Sequence, residues 1–317
     1  MDVFEQALPT QSPNLQTVLR SASLVAASDV TVLLLGESGT GKGRLAEAIH
    51  AASPRAAGPM VAVNCGAIPD SLAESELFGH RRGAFTGAVD EAPGRIRAAS
   101  GGTLFLDEVA ELPPSAQAKL LRFLETGEVQ TVGEATPRRV DARVVAATHR
   151  DLEAEVAAGR FRADLFYRLN IVPLEIPALR ERRCDIPGLA RRLLVELADS
   201  HGVERPSFTK AALLRLRDHG WPGNVRELRN LCERTAILLP GREVDASNLP
   251  AGLAGESNAE ADAAVALPAE GVRLEDVEAD LIRQALARTE GNRSHAARLL
   301  GISRHTLLYR LRKHAIA

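Results

Sequence analysis

Gly36-Glu37-Ser38-Gly39-Thr40-Gly41-Lys42 sets three glycines and a lysine within seven positions. Glycines let backbone N–H groups crowd around an anion, and a lysine at the end of such a turn reaches the outer phosphates of a nucleotide. Downstream, Gly102-Thr103-Leu104-Phe105-Leu106 runs into the adjacent carboxylates Asp107 and Glu108. That pairing suits phosphoanhydride hydrolysis: Asp107 to hold Mg2+, directly or through water, and Glu108 to polarise the attacking water. Two acids at a strand end also occur on solvated edges, but four buried-type residues precede this pair. Position 43 is Gly, where many phosphate loops place a Ser or Thr hydroxyl on the metal. The metal must then lean on other ligands and water.

The surrounding pattern supplies the elements that such groups need. Residues 12–28 carry helix-spaced apolar positions and lead into a strand at 30–35. Strands at 60–64, 103–106, 143–147 and 171–176 then alternate with helices starting at Gly41 and lying at 71–78, 114–126, 151–158 and 162–169. Short apolar strands between helical stretches predict a parallel sheet buried on both faces, with the glycine turn joining a strand to a helix N-terminus. Residues 185–240 read as all-helical around the breaker Trp221-Pro222-Gly223, as a small lid would. The Ala/Glu/Gly-rich stretch 251–271 reads as a flexible linker, and Leu274 to Ala317 is helical again.

Composition narrows the field. The chain has 317 residues, a formal net charge of -2 and 45% apolar content, ordinary globular values. Any nucleic-acid surface must therefore be local. Cys65, Cys184 and Cys232 stand far apart, so neither a disulfide framework nor a zinc site is expected. No basic stretch precedes an apolar run at the N-terminus, and no apolar run is long enough to span a bilayer. The expectation is a soluble cytoplasmic protein with no membrane attachment.

Residues 291–314 carry six Arg/Lys (Arg293, Arg298, Arg304, Arg310, Arg312, Lys313) and no Asp or Glu. Ser294 is a candidate cap for a short helix ending at Leu300, Gly301 a tight turn, and Ser303 a cap for a second helix. Ala297, Leu300, Ile302, Leu307 and Leu311 form the buried side. That is a helix-turn-helix pattern with an electrostatic footprint for DNA phosphates. Arg304, His305, Thr306 and Tyr309 are candidates for base edges or the groove, and Arg310, Arg312 and Lys313 for phosphates. The preceding helix, 274–288, has a stripe of Val277, Leu281, Ile282 and Leu286 suited to dimer packing, which implies a palindromic site.

With Gly83-Ala84-Phe85-Thr86-Gly87-Ala88 added, the chain resembles the bacterial sigma-54-dependent transcription activators, from about residue 8 to its end. The resemblance implies an α/β AAA+ P-loop ATPase core (1–178), a helical lid (179–250), a linker (251–271) and a Fis-type helix-turn-helix domain (272–317). It implies ATP and Mg2+ as cofactors. Nucleotide contacts fall on Gly36, Glu37, Ser38, Gly39, Thr40, Gly41, Lys42 and Gly43, with Thr148 and His149 at the sensor I position and Arg226 at sensor II. Asn64 matches the residue that restrains the catalytic glutamate, Glu108. Arg162 and Arg168 match arginines that reach a neighbouring subunit's γ-phosphate, hence a ring, a hexamer in the family. From the residues alone, Asp164 is a partner for Arg168 at i,i+4. In the family Phe85 and Thr86 touch sigma-54 and remodel the closed polymerase complex.

Two other readings compete: a regulator of conventional polymerase with a vestigial ATPase, or an AAA+ nucleic-acid remodeller such as a helicase loader. The intact Phe85-Thr86 pair argues against both. The ATPase begins almost at the first residue, whereas relatives carry a sensing domain before it. Control by a regulator in trans, by expression level or by oligomerisation is then expected, unless the chain is a piece of a longer one.

Overall fold

The computed structural model describes residues 3–84, 90–250, 253, 274–289 and 292–314. Phe85 and Thr86 lie outside these, as does the 251–271 stretch apart from Leu253, and so do the side chains of Val277, His305 and Arg312. The chain divides into two units, 1–255 and 256–317.

The first unit opens with α1 (Val3–Ala7) and α2 (Pro13–Ala26). It then runs β1 (Val32–Leu35), α3 (Lys42–Ala51), β2 (Met60–Asn64), α4 (Asp70–Phe78), α5 (Arg95–Ala98), β3 (Thr103–Asp107) and α6 (Pro114–Thr126). A short antiparallel pair, β4 (Glu128–Val129) with β5 (Arg138–Arg139), precedes β6 (Arg143–Thr148), α7 (Leu152–Ala157), α8 (Ala163–Leu169) and β7 (Val172–Glu175). The five-stranded sheet has the order β2-β3-β6-β1-β7 and is parallel throughout. Its inner strands are buried as their apolar runs require, β6 at every position. The outer strands β2 and β7 depart from the expected two-faced burial, because each has a neighbour on one side only.

Register decides what meets at the sheet edge. Asn64 lies opposite Asp107, and Leu35 opposite Thr148. The carboxyl ends of β1, β2, β3 and β6 therefore deliver the glycine turn, Asn64, Asp107 and Thr148 to one rim, the usual ligand side of an open parallel sheet.

The second half of this unit has its own core, from Leu179 to Leu253, around the fully buried Trp221. Its helices are α9 (Ile186–His201), α10 (Lys210–Asp218) and α11 (Asn224–Leu238). It is not wholly helical, which corrects the sequence expectation. Two short strands, β8 (Ser207–Phe208) and β9 (Glu243–Val244), pair in parallel. Two-residue strands leave no period-2 signal long enough to read.

The second unit holds α12 (Leu274–Arg288), α13 (Arg293–Leu299) and α14 (Arg304–Lys313). Its core joins Ile282, Ala285, Ala296, Ala297, Leu307 and Leu311, with Leu286, Leu300 and Ile302 at the margin. One expectation is corrected here. The cap of α13 is Asn292, whose Oδ1 accepts from the N–H groups of Ser294 and His295; Ser294 lies inside the helix. The α12 stripe is largely spent on this core, since Ile282 and Leu286 pack within it and Leu281 alone of the described stripe is exposed. Ser303 caps as expected, its Oγ accepting from Thr306 N–H at 3.1 Å.

Candidate nucleotide-hydrolysis site

The glycine turn joins the buried β1 to α3, which begins at Lys42. Gly39 and Gly41 have φ of 80° and 114°, in the left-handed region that favours glycine. A Cβ on Gly39 would stand 2.5 Å from the Gly223 carbonyl, and one on Gly41 2.7 Å from Leu8 Cδ2. The turn is therefore glycine-rich for two reasons, backbone conformation and close neighbours.

Lys42 is buried, with Nζ donating to the carbonyls of Gly36 at 2.8 Å and Glu37 at 3.2 Å, and standing 3.9 Å from Glu108 Oε1. Burial lowers its pKa, and the charges of Glu108 and Asp107 oppose that. Asp107 moves the other way: burial raises its carboxyl above the ordinary value, and the adjacent Glu108 adds to it. A divalent cation beside Asp107 would offset the charge that its burial disfavours. A Cβ on Gly43 would find its nearest atom, Phe105 Cε1, at 4.0 Å, so that position offers room but no hydroxyl.

Glu108 is left-handed at φ 54°, a strained conformation for a non-glycine residue, and strain of this kind gathers at functional sites. Its Oε2 accepts from His149 Nδ1 at 2.6 Å and from the His149 backbone N–H at 3.3 Å. Asn64 stands apart from this arrangement, its Oδ1 accepting from Gly66 N–H at 3.0 Å. Thr148 is fully buried, with Oγ1 accepting from Arg150 N–H.

Behind the turn lies a cleft of about 490 Å³, walled by the glycine turn, Asp107, Glu108, Arg226 and the apolar Leu8 and Leu193. Arg226 Nη1 donates to Ser38 Oγ at 2.8 Å. Arg182, 2% exposed, donates to the Thr40 carbonyl at 2.8 Å. Glu37 does not face the cleft: its carboxylate is taken by Arg180 at 2.5 and 2.8 Å and by Asn224 Nδ2 at 3.0 Å.

Arg162 and Arg168 stay away from their own chain's cleft. Arg162 is the N-cap residue of α8 and forks onto Asp164 at 3.0 and 2.8 Å. The expected Asp164–Arg168 pair is thereby corrected, because the cap position brings Arg162 to the same carboxylate. Arg168 donates to the Leu124 carbonyl instead, and both arginines are exposed.

The base of the 83–88 loop is held from both sides. His80 bridges Ala92 and Val132, and Arg81 pairs with Glu91 and Glu134, each at 2.8 Å. Glu134 also takes Arg138, and these two arginines hold its pKa down to about 2.

In the second unit Arg304 and Tyr309 are exposed, Tyr309 at 66%. Arg310 and Lys313 have acidic partners from α12: Arg310 meets Glu278 at 2.5 Å and Lys313 meets Glu275 at 3.1 Å. Sequence reasoning counted basic residues in 291–314 and did not see that the acids facing two of them come from the preceding helix. It also missed Leu8, Arg180, Arg182, Leu193 and Asn224. Arg180 and Arg182 were visible as a basic pair, but nothing local linked them to the glycine turn.

Three family descriptions match in succession: Sigma-54 interaction domain at residues 8–175, AAA+ ATPase lid domain at 180–266, and Bacterial regulatory protein, Fis family, at 273–314. Transcriptional regulatory protein ZraR of Klebsiella oxytoca is 48% identical over 303 residues, covering 95% of this chain and 67% of that protein. The alginate biosynthesis transcriptional regulatory protein AlgB of Pseudomonas aeruginosa is 47% identical over 306 residues, covering 96% and 67%. Among solved structures, NtrX from Brucella abortus in complex with ATP superimposes with a TM-score of 0.72 at 35% identity, covering 98% of this chain and 69% of that one.

Proposed function

The chain belongs to the sigma-54-dependent transcriptional regulators, with an AAA+ ATPase domain and a Fis-type helix-turn-helix, and from that premise we propose that it uses ATP turnover to remodel sigma-54 RNA polymerase at promoters. The observation that carries this reading is the approach of Lys42 to Glu108 within 3.9 Å, beside Asp107, at the mouth of the glycine turn. ATP enters the cleft with its phosphates against the N–H groups of 36–43, and Lys42 leaves its two carbonyl partners for the β- and γ-phosphates. Asp107 would hold a Mg2+ ion, which would supply charge neutralisation for the phosphates. Glu108 takes the proton of the attacking water, Thr148 and His149 lie beside the reacting phosphate, and Arg226 reports on it from the lid. Asn64 is the alternative restraint on Glu108, to which it would turn by leaving the Gly66 N–H.

Arg162 and Arg168 are exposed away from their own cleft, which supports a role in a neighbouring subunit's site. An arginine supplied in trans is worth on the order of 10³–10⁵ in rate, so turnover requires assembly, here into a hexameric ring. The ring moves the 83–88 loop, and Phe85 and Thr86 engage sigma-54. The helix-turn-helix units pair as dimers on upstream double-stranded DNA, with Arg304, His305, Thr306 and Tyr309 toward the groove and Arg312 on phosphate. Arg310 and Lys313 reach phosphate only by sharing their acidic partners. The protein acts in the cytoplasm, and a regulator in trans is one route of control.

The test is open-complex formation by purified sigma-54 polymerase on a promoter with an upstream site. Addition of this protein and ATP should yield open complexes, and a nonhydrolysable analogue should not. Equal opening without ATP, or none under any condition, would reject the remodelling reading.

A further inference from the structure

Glu37 is out of place among phosphate ligands. A carboxylate aimed at a triphosphate would repel it, yet Glu37 occupies the second position of the glycine turn. Its side chain is turned outward and clasped. Arg180 Nη1 and Nη2 fork onto its two oxygens at 2.8 and 2.5 Å, and Asn224 Nδ2 adds a third bond at 3.0 Å. These charge-assisted bonds hold the Glu37 carboxyl down to about 2, Arg180 contributing most and Asn224 next.

Asn224 is the more unusual partner. It is fully buried, left-handed at φ 50°, and opens α11 directly after Trp221-Pro222-Gly223. Its one side chain joins three segments. Nδ2 donates both to Glu37 and to the Ser38 carbonyl at 3.0 Å, while Oδ1 accepts from the Leu179 N–H at 2.7 Å. Leu179 belongs to the lid core and Asn224 opens the lid helix α11, whereas residues 37 and 38 belong to the phosphate loop. The next residue, Val225, donates its N–H to the Gly39 carbonyl at 3.0 Å. Four consecutive loop residues, 37–40, are thus bonded to the lid when Arg226 on Ser38 and Arg182 on Thr40 are included.

We infer that Glu37, clasped by Arg180 and Asn224, is a positioning residue that couples the phosphate loop to the lid, so that nucleotide which reshapes the loop moves the lid. Lys42 draws on the carbonyls of Gly36 and Glu37, so its transfer to a phosphate frees the backbone of the residue whose carboxylate the clasp holds. The coupling is reciprocal: a lid freed from Glu37 binds nucleotide with changed affinity, and nucleotide no longer instructs the lid.

Trp221 is the sole tryptophan of the chain, buried in the lid three residues before Asn224, and serves as the reporter. In the full-length protein, its emission should change on addition of ATP with Mg2+. Glu37→Gln and Arg180→Gln alter side chains that are 43% and 42% exposed, so the fold should survive them, and thermal unfolding checks this. Each should abolish most of the Trp221 response while nucleotide still binds by calorimetry. A coupling of ordinary allosteric size would raise KM for ATP roughly tenfold while kcat changes little. The conservative Arg180→Lys, which keeps a charged donor for Glu37 and leaves Asn224 its acceptor, should recover part of both the response and KM.

Three outcomes overturn the inference: no Trp221 response in the unaltered protein, a full response with unchanged KM in Glu37→Gln and Arg180→Gln, or equal loss in Arg180→Lys and Arg180→Gln. An unaltered protein that hydrolyses no ATP would instead count against the ATPase assignment. The two failures are therefore distinguishable.

Discussion

Glu108 Oε2 lies 2.6 Å from His149 Nδ1, and that contact, rather than one to Asn64, holds the Glu108 carboxylate in this structure. A carboxylate with one oxygen committed to an imidazole and a backbone N–H has one oxygen fewer to present to the attacking water. Removing the imidazole should therefore release it. His149→Ala is expected to raise basal ATP turnover several-fold, whereas Asn64→Ala should change it less. Steady-state phosphate release from both variants decides this; a larger increase in Asn64→Ala would return the restraint to Asn64. In the same assay Glu108→Gln should bind ATP and lose about 10²–10⁴ in kcat, the usual worth of a positioned general base.

Thr86→Ala separates hydrolysis from remodelling. The 83–88 loop is rooted at His80 and Arg81, apart in sequence from Asp107 and Glu108. The variant should keep ATP hydrolysis largely intact and lose open-complex formation with sigma-54 polymerase. Unaltered transcription by this variant would favour a regulator that does not act through this loop.

Acid should weaken the clasp between lid and phosphate loop. Glu37 has a folded pKa of about 2 against an ordinary value of 4.5, so the unfolded chain binds protons first as pH falls. The stabilisation from Glu37 is complete above about pH 4.5 and is lost on the way down to about 2. Glu134 behaves alike at the loop base, so both contribute to the acid limb. Urea midpoints measured across that window should fall less steeply for Glu37→Gln than for the unaltered protein. Added salt should shrink the difference, because the clasp is partly exposed. Parallel curves at low salt would show that Glu37 contributes nothing there.

In the second unit, two arginines on one helix should fail differently. Arg304→Ala should cost about 1–3 kcal/mol in affinity for the specific site and relax its sequence preference, as loss of a base contact does. Arg310→Ala breaks the contact to Glu278 and should lower the melting temperature of the isolated 256–317 unit, if that unit folds by itself, or of its transition in the full chain. A larger loss of DNA affinity in Arg310→Ala than in Arg304→Ala would reverse the assignment.

Motif chemistry and strand order of appearance were legible from the residues because both are near-neighbour properties. Gly36 to Lys42 needs seven consecutive positions, Asp107-Glu108 needs one strand end, and the α12, α13 and α14 helices follow from local period and caps. Partners were not legible. Glu37 meets Arg180 across 143 residues and Asn224 across 187, Glu108 meets His149 across 41, and Arg310 meets an acid on another helix. Even at short range a cap overrode a periodic expectation, when Arg162 took Asp164 from Arg168. Sequence by itself determined that this chain can bind a triphosphate, hydrolyse it and hold a helix-turn-helix, since glycine conformational freedom, carboxylate chemistry and apolar period act locally. Tertiary structure alone decided which charged group restrains which. Ion pairs form wherever packing of the apolar faces leaves opposite charges within reach, and that packing joins segments with no spacing in common.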